Sequence, residues 1–293
     1  MIEYSDLKTE TNPVFSIIIP TWNNLEFLKI CINSIRKNSR LTHQIVVHVN
    51  VGNDGTIEWL KQNNITYSYS KENIGVCYSV NAAYSLCTAD YILYLNDDMY
   101  VCPDWDHYLY EEIKSIDTNY FYLSATAIEP KFIKKKPTIA PYSFGTTVES
   151  FNEEELLQHY HSLSAEDKNG SSWPPAVMHR YLWDLVGGYS PEFTPGLYSD
   201  PDISMKLWHA GVRYFKIVEK SRVYHFLSKS VGRAKLNNGR KQFIRKWGIS
   251  SSTFYKYYLK MGTTFKGKLE DPEENFDFKL RLLRDRIKIL FHI

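Results

Sequence analysis

From residue 14 to residue 95, short apolar runs alternate with amphipathic stretches, and this alternation limits the fold more than any other feature of the sequence. The runs have the length and the β-branched content of buried strands, and the stretches between them have the spacing of helices. The strand-like runs lie at residues 14–19, 44–49, 65–69 and 91–95. Such alternation gives right-handed βαβ units, so we predict an α/β fold with a mostly parallel sheet flanked by helices.

Four short segments follow these predicted strands directly. In an open parallel sheet, ligands bind beyond the carboxyl ends of the strands. We therefore predict that the binding edge of the sheet is formed by residues 21–22, 50–54, 71–73 and 96–98.

The second half of the sequence is less regular. It contains a basic loop at residues 131–136 and a polar stretch at residues 151–172 that we expect to be a mobile excursion. Two strands are predicted at residues 212–218 and 222–226, and mainly helices after them. We therefore divide the chain into an α/β unit, residues 1–226, and a helical C-terminal extension, residues 227–293.

The composition is that of a globular protein. Hydrophobic residues make up 43% of the 293 residues and charged residues 23%, while the net charge of +2 argues against nucleic acid as a partner. The four cysteines form no Cys-x-x-Cys pair, so a structural zinc site is not expected. No apolar run approaches the roughly 20 residues that span a bilayer, and no signal peptide is recognisable. These features favour a cytoplasmic location.

Two adjacent carboxylates, Asp97 and Asp98, follow the apolar run that ends at Leu95. Packing does not explain them, because burying unpaired carboxylates is costly. Hard oxygen ligands suit Mg²⁺ or Mn²⁺, and the oxygens of a diphosphate would complete the shell. A solvated turn that caps a helix near Trp105 explains the same residues, and their position alone leaves both interpretations open.

Two later positions become candidates on chemical grounds. His225 ends a predicted strand, and a lone histidine is more often structural than a ligand unless it lies at the same sheet edge as Asp98. Asp202 is expected to cap a following helix. This leaves Asp200 outside that helix and free to accept a proton from a hydroxyl group.

Taken in chain order, these segments resemble the family 2 glycosyltransferases, which have the GT-A fold. Each motif alone is weak, whereas the ordered set across roughly residues 14 to 226 is specific. The matching motifs are FSIIIPTWN at residues 15–23, NDGT at 53–56, NIG at 73–75, Asn81, LNDD at 95–98, GGY at 187–189, DPDIS at 200–204, Gly211 and His225.

The resemblance implies a metal-dependent, inverting enzyme that takes a sugar from a nucleotide-diphosphate sugar. Asp98 would bind the Mn²⁺ or Mg²⁺ that bridges the donor diphosphate, and His225 would complete the metal shell. Asp97 would face the ribose or sugar of the donor, and Asp200 would be the base of a single in-line displacement. The nucleoside pocket of the family corresponds to Thr21, Asn50 and Asp54, bordered by Asn73 and Asn81.

Family frequency alone suggests a uridine diphosphate donor and a glycan or lipid-linked acceptor in surface polysaccharide assembly. Three residues depart from the family pattern: Asn50 and Asn96 stand where Asp is frequent, and Ser199 replaces a frequent acid before the base. Residues 242–247, QFIRKW, have one residue too many before Trp to match the Gln-x-x-Arg-Trp motif of processive members. We therefore expect transfer of a single sugar.

Two other functions stay open at this point. A sugar nucleotidyltransferase has a related sheet but would favour a Gly-rich basic loop after the first strand, where this sequence has PTWN. A non-catalytic nucleotide-sugar-binding module would keep the fold without activity, which the joint presence of Asp98, Asp200 and His225 disfavours.

Residues 273–293 form a predicted basic amphipathic helix. Its apolar stripe contains Phe276, Leu280, Leu283, Ile287 and Leu290, and its cations are Lys279, Arg281, Arg284, Arg286 and Lys288. One interpretation is peripheral docking to an anionic membrane. The alternative is packing on the core or on a partner subunit, as in a homodimer.

Overall fold

The computed structural model describes residues 1–7, 11–133, 136–228 and 237–290, and within these ranges ten strands form one sheet. In chain order the strands are β1 (Ile2–Ser5), β2 (Phe15–Trp22), β3 (His43–Asn50), β4 (Thr66–Ser70), β5 (Tyr91–Tyr94), β6 (Met99–Val101), β7 (Phe121–Ile128), β8 (Lys168–Asn169), β9 (Ala176–His179) and β10 (Tyr214–His225). The order across the sheet is β1-β4-β3-β2-β5-β9-β7-β10-β6, and β8 pairs with β10 outside this path.

The centre of the sheet is parallel. Strands β4, β3, β2 and β5 run in one direction, and β7 pairs parallel with β10. The short strands β1, β6, β8 and β9 join the sheet antiparallel. The predicted α/β fold with a mostly parallel sheet is therefore confirmed.

Helices cover both faces of this sheet. They are α1 (Leu25–Asn38), α2 (Thr56–Gln62), α3 (Gly75–Tyr84), α4 (Trp105–Ser115), α5 (Glu153–His159), α6 (Arg180–Val186), α7 (Ser199–His209), α8 (Gly239–Trp247), α9 (Ser251–Thr253) and α10 (Phe276–Leu290). Along β2, Ile17 and Ile19 join one hydrophobic cluster and Ile18 joins another. This strand is apolar throughout because both of its faces are buried.

The two clusters contain different helices. The first includes Leu28 of α1 and Trp105 of α4, and the second includes Val80 of α3 and Ile203 of α7. Phe243 of α8 belongs to the second cluster, together with Ile249, Phe254 and Leu259. Residues after 226 thus share a core with α7, while the predicted domain boundary at that residue stays a prediction.

Two segments of the second half differ from the sequence prediction. Residues 212–226 contain one long strand instead of two, because β10 continues its pairing with β7 across a β-bulge between Val218 and Arg222. Residues 151–172 contain α5 and β8, and Ser171 and Ser172 in this stretch are buried. Residues 134–135 of the basic loop and 291–293 of the C-terminal helix lie outside the described residues.

Helix α10 is held to the chain before it by a buried carboxylate. Asp285 is fully buried and accepts hydrogen bonds from the backbone N and the Oγ of Ser250, at 2.8 and 3.0 Å. Lys288 donates to the other oxygen of Asp285 at 3.0 Å. In the described part of the chain, no helix has the length and apolar character needed to cross a bilayer.

Candidate active site

A cavity of about 410 Å³ opens beyond the carboxyl ends of β2, β3 and β5. This is the edge at which ligands bind in open α/β sheets. Seven of the predicted site residues line it: Thr21, Asn50, Asn73, Asp97, Asp98, Asp200 and His225. The sheet thus gathers side chains that are as far apart in sequence as Thr21 and His225.

The pairing of β10 brings His225 to Asp98. His225 lies opposite Met99 in the antiparallel pair with β6, and the backbone N of Phe226 donates to the Asp98 carbonyl at 3.1 Å. As a result, Nε2 of His225 lies 3.4 Å from Oδ1 of Asp98. The sequence made His225 a ligand candidate only if it lay at the same sheet edge as Asp98. In the structure it lies there.

Glu129 holds His225 from the other side. Strand β7 pairs Ile128 with Tyr224, which places Glu129 beside His225. Oε1 of Glu129 lies 2.9 Å from Nδ1 of His225, and Lys136 pairs with the same carboxylate. Because Glu129 is fully buried, this contact fixes the orientation of the imidazole ring.

Direct contacts between His225 and the carboxylates of Asp98 and Glu129 compensate the cost of burying these groups. Burial lowers the pKa of His225, but the charge and hydrogen bonds of Asp98 and Glu129 outweigh it and raise this pKa to about 9. Burial raises the pKa of Asp98, but His225 and the backbone N of Ser228, which donates to Oδ2 at 2.8 Å, hold it below its usual value. The carboxylate of Asp98 is therefore ionised at neutral pH.

Asp98 and His225 fit a divalent cation. Their facing atoms are 3.4 Å apart, close to the ~3 Å between neighbouring ligands of an octahedral Mg²⁺ at ~2.1 Å. Glu129 on Nδ1 supplies the carboxylate partner that metal-bound histidines have. Among the described residues no group of three or more His, Cys, Asp or Glu side chains converges as a metal cluster.

Asp200 lies in the first turn of α7, and not outside the helix as predicted. The helix begins at Ser199, with Tyr198 at the N-cap in a left-handed conformation at φ 70°. Pro201 is tolerated there because a backbone N–H in the first turn has no intrahelical acceptor, so proline, which has no N–H, loses no hydrogen bond. No described residue donates a hydrogen bond to the Asp200 carboxylate. Burial therefore raises the pKa of Asp200 to about 7, with Lys136 acting in the opposite direction.

Asp202 has a different role from the cap that the sequence suggested. It is fully buried, and its Oδ1 accepts a hydrogen bond from Trp247 Nε1 at 2.8 Å and forms an ion pair with Lys246 Nζ at 2.9 Å. The near match to the processive motif thus provides the two side chains that join α8 to α7. Of the two acids in this segment, Asp202 is engaged in packing and only Asp200 lines the cavity.

On the side of the cavity where the sequence predicts the nucleoside pocket, polar side chains form a hydrogen-bonded network. Thr21 Oγ1 donates to Asp97 Oδ2 at 2.7 Å. The amide of Asn50 donates to Ser79 Oγ at 2.9 Å and accepts from the backbone N of Ile74 at 2.9 Å. Asn50 thereby ties the end of β3 to the start of α3. Asn73 lines the same wall and accepts from the N of Gly75 at 2.9 Å.

Asp54 and Asn81 do not line this cavity in the described structure. Asp54 Oδ2 accepts from the backbone N of Leu25 at 2.8 Å, so it caps the start of α1. Asn81 donates to the carbonyl of Tyr189 at 2.7 Å and accepts from its N at 2.9 Å. Both residues position loops that border the site.

Sequence reasoning missed three lining or supporting residues. Lys136 and Trp173 line the cavity, and Glu129 supports His225 from behind. Glu129 had a usable signal, because it directly follows the buried strand β7, and Asp97 lies three residues after the end of β5. The position of Trp173 depends on tertiary packing against Tyr255, whose ring centroid lies 5.3 Å away.

Comparison with known proteins agrees with the α/β fold. The family model of glycosyl transferase family 2 matches residues 16–168, just over half of the chain. Among curated proteins, no sequence matches.

Solved structures with the same fold include S. aureus TarS, with a TM-score of 0.56 and 14% identity over 94% of this chain and 43% of that chain. The TarS fragment 1–349 gives a TM-score of 0.54 at 13% identity, covering 94% of this chain and 80% of the fragment. The same fragment in complex with UDP-GlcNAc gives 0.53 at 12% identity, covering 95% and 81%. The chain thus spans less than half of the longer TarS chain, and the likeness concerns the fold.

Proposed function

This chain belongs to glycosyl transferase family 2, and on that premise we propose that it moves one sugar from a nucleotide-diphosphate sugar to a hydroxyl group of an acceptor, with inversion. The observation that carries the proposal is Asp200. Its carboxylate lines the same cavity as Asp97 and Asp98, and burial raises its pKa to about 7. A general base works best when its pKa lies near the working pH.

The proposed step is a single displacement. The oxygen of the acceptor hydroxyl forms a bond to the anomeric carbon while Asp200 accepts the hydroxyl proton. The bond from that carbon to the diphosphate oxygen breaks, and its electron pair leaves with the nucleoside diphosphate. Attack opposite the leaving group inverts the configuration at the anomeric carbon.

Asp98 and His225 are the proposed ligands of a Mn²⁺ or Mg²⁺. When bound, such a cation neutralises charge that develops on the leaving diphosphate. Glu129 keeps Nδ1 of His225 engaged, so that Nε2 faces Asp98. Asp97 is proposed to face the ribose or sugar, in an orientation set by the hydrogen bond from Thr21.

The proposed donor is a uridine diphosphate sugar. Support comes from the TarS fragment, which has been solved in complex with UDP and with UDP-GlcNAc. Thr21, Asn50 and Asn73 would contact the nucleoside, while Asp54 and Asn81 would shape the border of its pocket. A thermal-shift screen of nucleoside diphosphates with Mn²⁺ would identify the base, because a tight ligand raises the melting temperature.

The proposed acceptor is a glycan or a lipid-linked glycan in surface polysaccharide assembly. Helix α10 supports a location beside an anionic membrane, since Phe276, Leu283 and Leu290 on it are exposed by 81%, 53% and 74%. Cytoplasmic location and a homodimer stay predictions.

Substitution of Asp200 tests the proposed function. Asp200→Asn is expected to reduce sugar transfer by about 10²–10⁴-fold, because general base catalysis is lost. Nucleotide binding, measured by calorimetry, should stay nearly unchanged, whereas Asp98→Ala should weaken Mn²⁺-dependent binding.

The matched control is Asp90→Asn, an exposed acid before β5, which should leave both readouts unchanged. Near-normal turnover of Asp200→Asn would overturn the base assignment. Nucleotide binding without transfer by the wild-type protein, across the donor and acceptor screen, would favour the binding-module alternative.

A further inference from the structure

A second pocket, which we call the basic pocket, lies between the turns after α9 and the N-terminal half of α10. Its volume is about 450 Å³. It is lined by four cations, one carboxylate and an aromatic ring: Lys256, Lys260, Arg281, Arg284, Asp277 and Tyr255. The apolar stripe of α10 does not account for this concave surface.

The charge in the basic pocket is unbalanced. Asp277 is paired with Lys256 at 2.8 Å and accepts a hydrogen bond from the Tyr257 hydroxyl at 2.5 Å. Within the part of the chain that the structure describes, Lys260, Arg281 and Arg284 form no salt bridge. Three cations thus converge on one concavity that holds a single, already paired carboxylate, and such a surface attracts anions.

One of these cations is held rigidly. Nε of Arg281 donates to Thr253 Oγ1 at 3.0 Å, and its Nη2 donates to Ser252 Oγ at 2.5 Å. Thr253 in turn donates to the buried carboxylate of Asp285. This support fixes one edge of the guanidinium group and leaves its remaining N–H donors for a ligand, an arrangement suited to a phosphate.

The basic pocket adjoins the active-site cavity. Tyr255 lines the basic pocket, its ring centroid lies 5.3 Å from that of Trp173, and its hydroxyl lies 3.4 Å from Ser172 Oγ. Trp173 lines the active-site cavity together with Asp200. The two rings therefore form the wall between the pockets, on the side of the cavity where Asp200 receives the acceptor hydroxyl.

We propose that the basic pocket binds a phosphate group of the acceptor, and that Trp173 and Tyr255 form the surface between this group and Asp200. The proposal rests on the glycosyltransferase function proposed above, because it names a chemical class of acceptor. A phosphate suits the pocket since Arg281 and Arg284 provide planar, multidentate donors. Uncharged glycans would leave these cations unpaired.

The test measures phosphate binding directly, without donor or transfer. Calorimetric titration of the full chain with glycerol phosphate uses wild type, Lys260→Gln/Arg284→Gln, and the matched control Arg286→Gln, whose exposed cation lies on α10 outside the pocket. The double variant should bind at least about tenfold more weakly, because it loses two charge-assisted contacts. The control should bind like the wild type. Asp98→Ala should also bind like the wild type, which separates this site from the donor diphosphate site.

Several outcomes overturn the proposal. Absence of saturable binding to the wild type does so, and so does equal binding by the double variant. Vesicles of phosphatidylglycerol and phosphatidylcholine form the second arm. Binding to vesicles that depends on Lys260 and Arg284, without binding of glycerol phosphate, would assign these cations to lipid headgroups. If the wild-type protein binds phosphate but transfers no sugar, the basic pocket is a phosphate site and the proposed glycosyltransferase function is wrong.

Discussion

At the scale of single residues, Asp200 sets the expected pH dependence of transfer. Burial raises its pKa to about 7, and only the ionised carboxylate accepts a proton. Transfer, measured as kcat/KM between about pH 5.5 and 8.5, should therefore rise with pH through a midpoint near 7 and then level off. A profile that is flat across this range would contradict the assignment.

Lys136 provides a directional check on this midpoint. Its positive charge lowers the pKa of Asp200, so Lys136→Met should move the midpoint to higher pH. Lys246→Met is the matched control, because Lys246 pairs with Asp202 and Glu192 and is not among the groups that perturb Asp200. A midpoint that moves to lower pH in Lys136→Met would exclude this electrostatic role.

Substitution of Glu129 tests whether a carboxylate that contacts His225 strengthens metal binding at that histidine. Glu129→Gln keeps the shape but removes the charge that faces Nδ1 of His225. Affinity for a nucleoside diphosphate with Mn²⁺ should fall about 10–100-fold, the cost of losing a carboxylate behind a metal-bound histidine. Glu153→Gln, which loses the pair with Lys37 on the outside of the protein, should bind normally. Equal affinities of the two variants would count against a metal at His225.

At the scale of elements, Asn81 shows how α3 supports the site without lining it. Its amide makes two hydrogen bonds to the backbone of Tyr189. Asn81→Ala should lower the free energy of unfolding by ~1–3 kcal/mol, because it leaves the N–H and C=O of Tyr189 without partners. Chemical denaturation measures this loss, and nucleotide affinity of the folded variant should change by less than about threefold. A large loss of nucleotide affinity with an unchanged free energy of unfolding would show that Asn81 contacts the nucleotide.

The elements that could be predicted from the sequence were those with a local signal. Strands β2 to β5 have apolar runs bounded by turn residues, and their carboxyl ends were therefore located to within one residue for β3, β4 and β5 and three residues for β2. Strand β1 is short and mostly exposed, so its residues have no burial pattern to reveal it. Strand β7 was overlooked although all of its residues are buried, and Glu129 was missed with it.

The start of α7 could not be predicted because it depends on tertiary contacts. Local capping rules favoured Asp202 as the first carboxylate of the helix. In the fold, Trp247 and Lys246 of α8 bind Asp202, and the helix begins three residues earlier, at Ser199. Asp200 stays the proposed base, because Asp202 is bound by α8 while Asp200 lines the cavity.

At the scale of the whole molecule, the described residues after 226 contribute to the protein core. Phe243 and Phe254 pack in the same cluster as Ile203 of α7, so the helix that carries Asp200 lies between the sheet and the C-terminal helices. We propose that the boundary at residue 226 divides two parts of one packed structure. The C-terminal part then places the basic pocket beside the base and an exposed apolar stripe on the outer surface of α10.

The stripe on α10 leads to a prediction about the molecule's surroundings. Phe276, Leu283, Ile287 and Leu290 recur every three to seven residues and are exposed, beside the exposed cations Lys279 and Arg286. This pairing of apolar and basic side chains suits an anionic bilayer surface. The full chain should float with vesicles that contain phosphatidylglycerol, and Leu283→Gln/Ile287→Gln should not, because each apolar side chain contributes ~1.5–3 kcal/mol on burial.

Leu185→Gln is the matched control, since Leu185 is an equally exposed leucine on α6. It should float like the wild type. Equal flotation of all three proteins would show that α10 does not reach the bilayer. A wild-type protein that stays at the bottom of the gradient but sediments as a dimer would instead assign the stripe to a second copy of the chain. If α10 docks on the bilayer, the basic pocket lies beside the headgroups, and a lipid-linked acceptor would reach Asp200 past Trp173 without leaving the membrane surface.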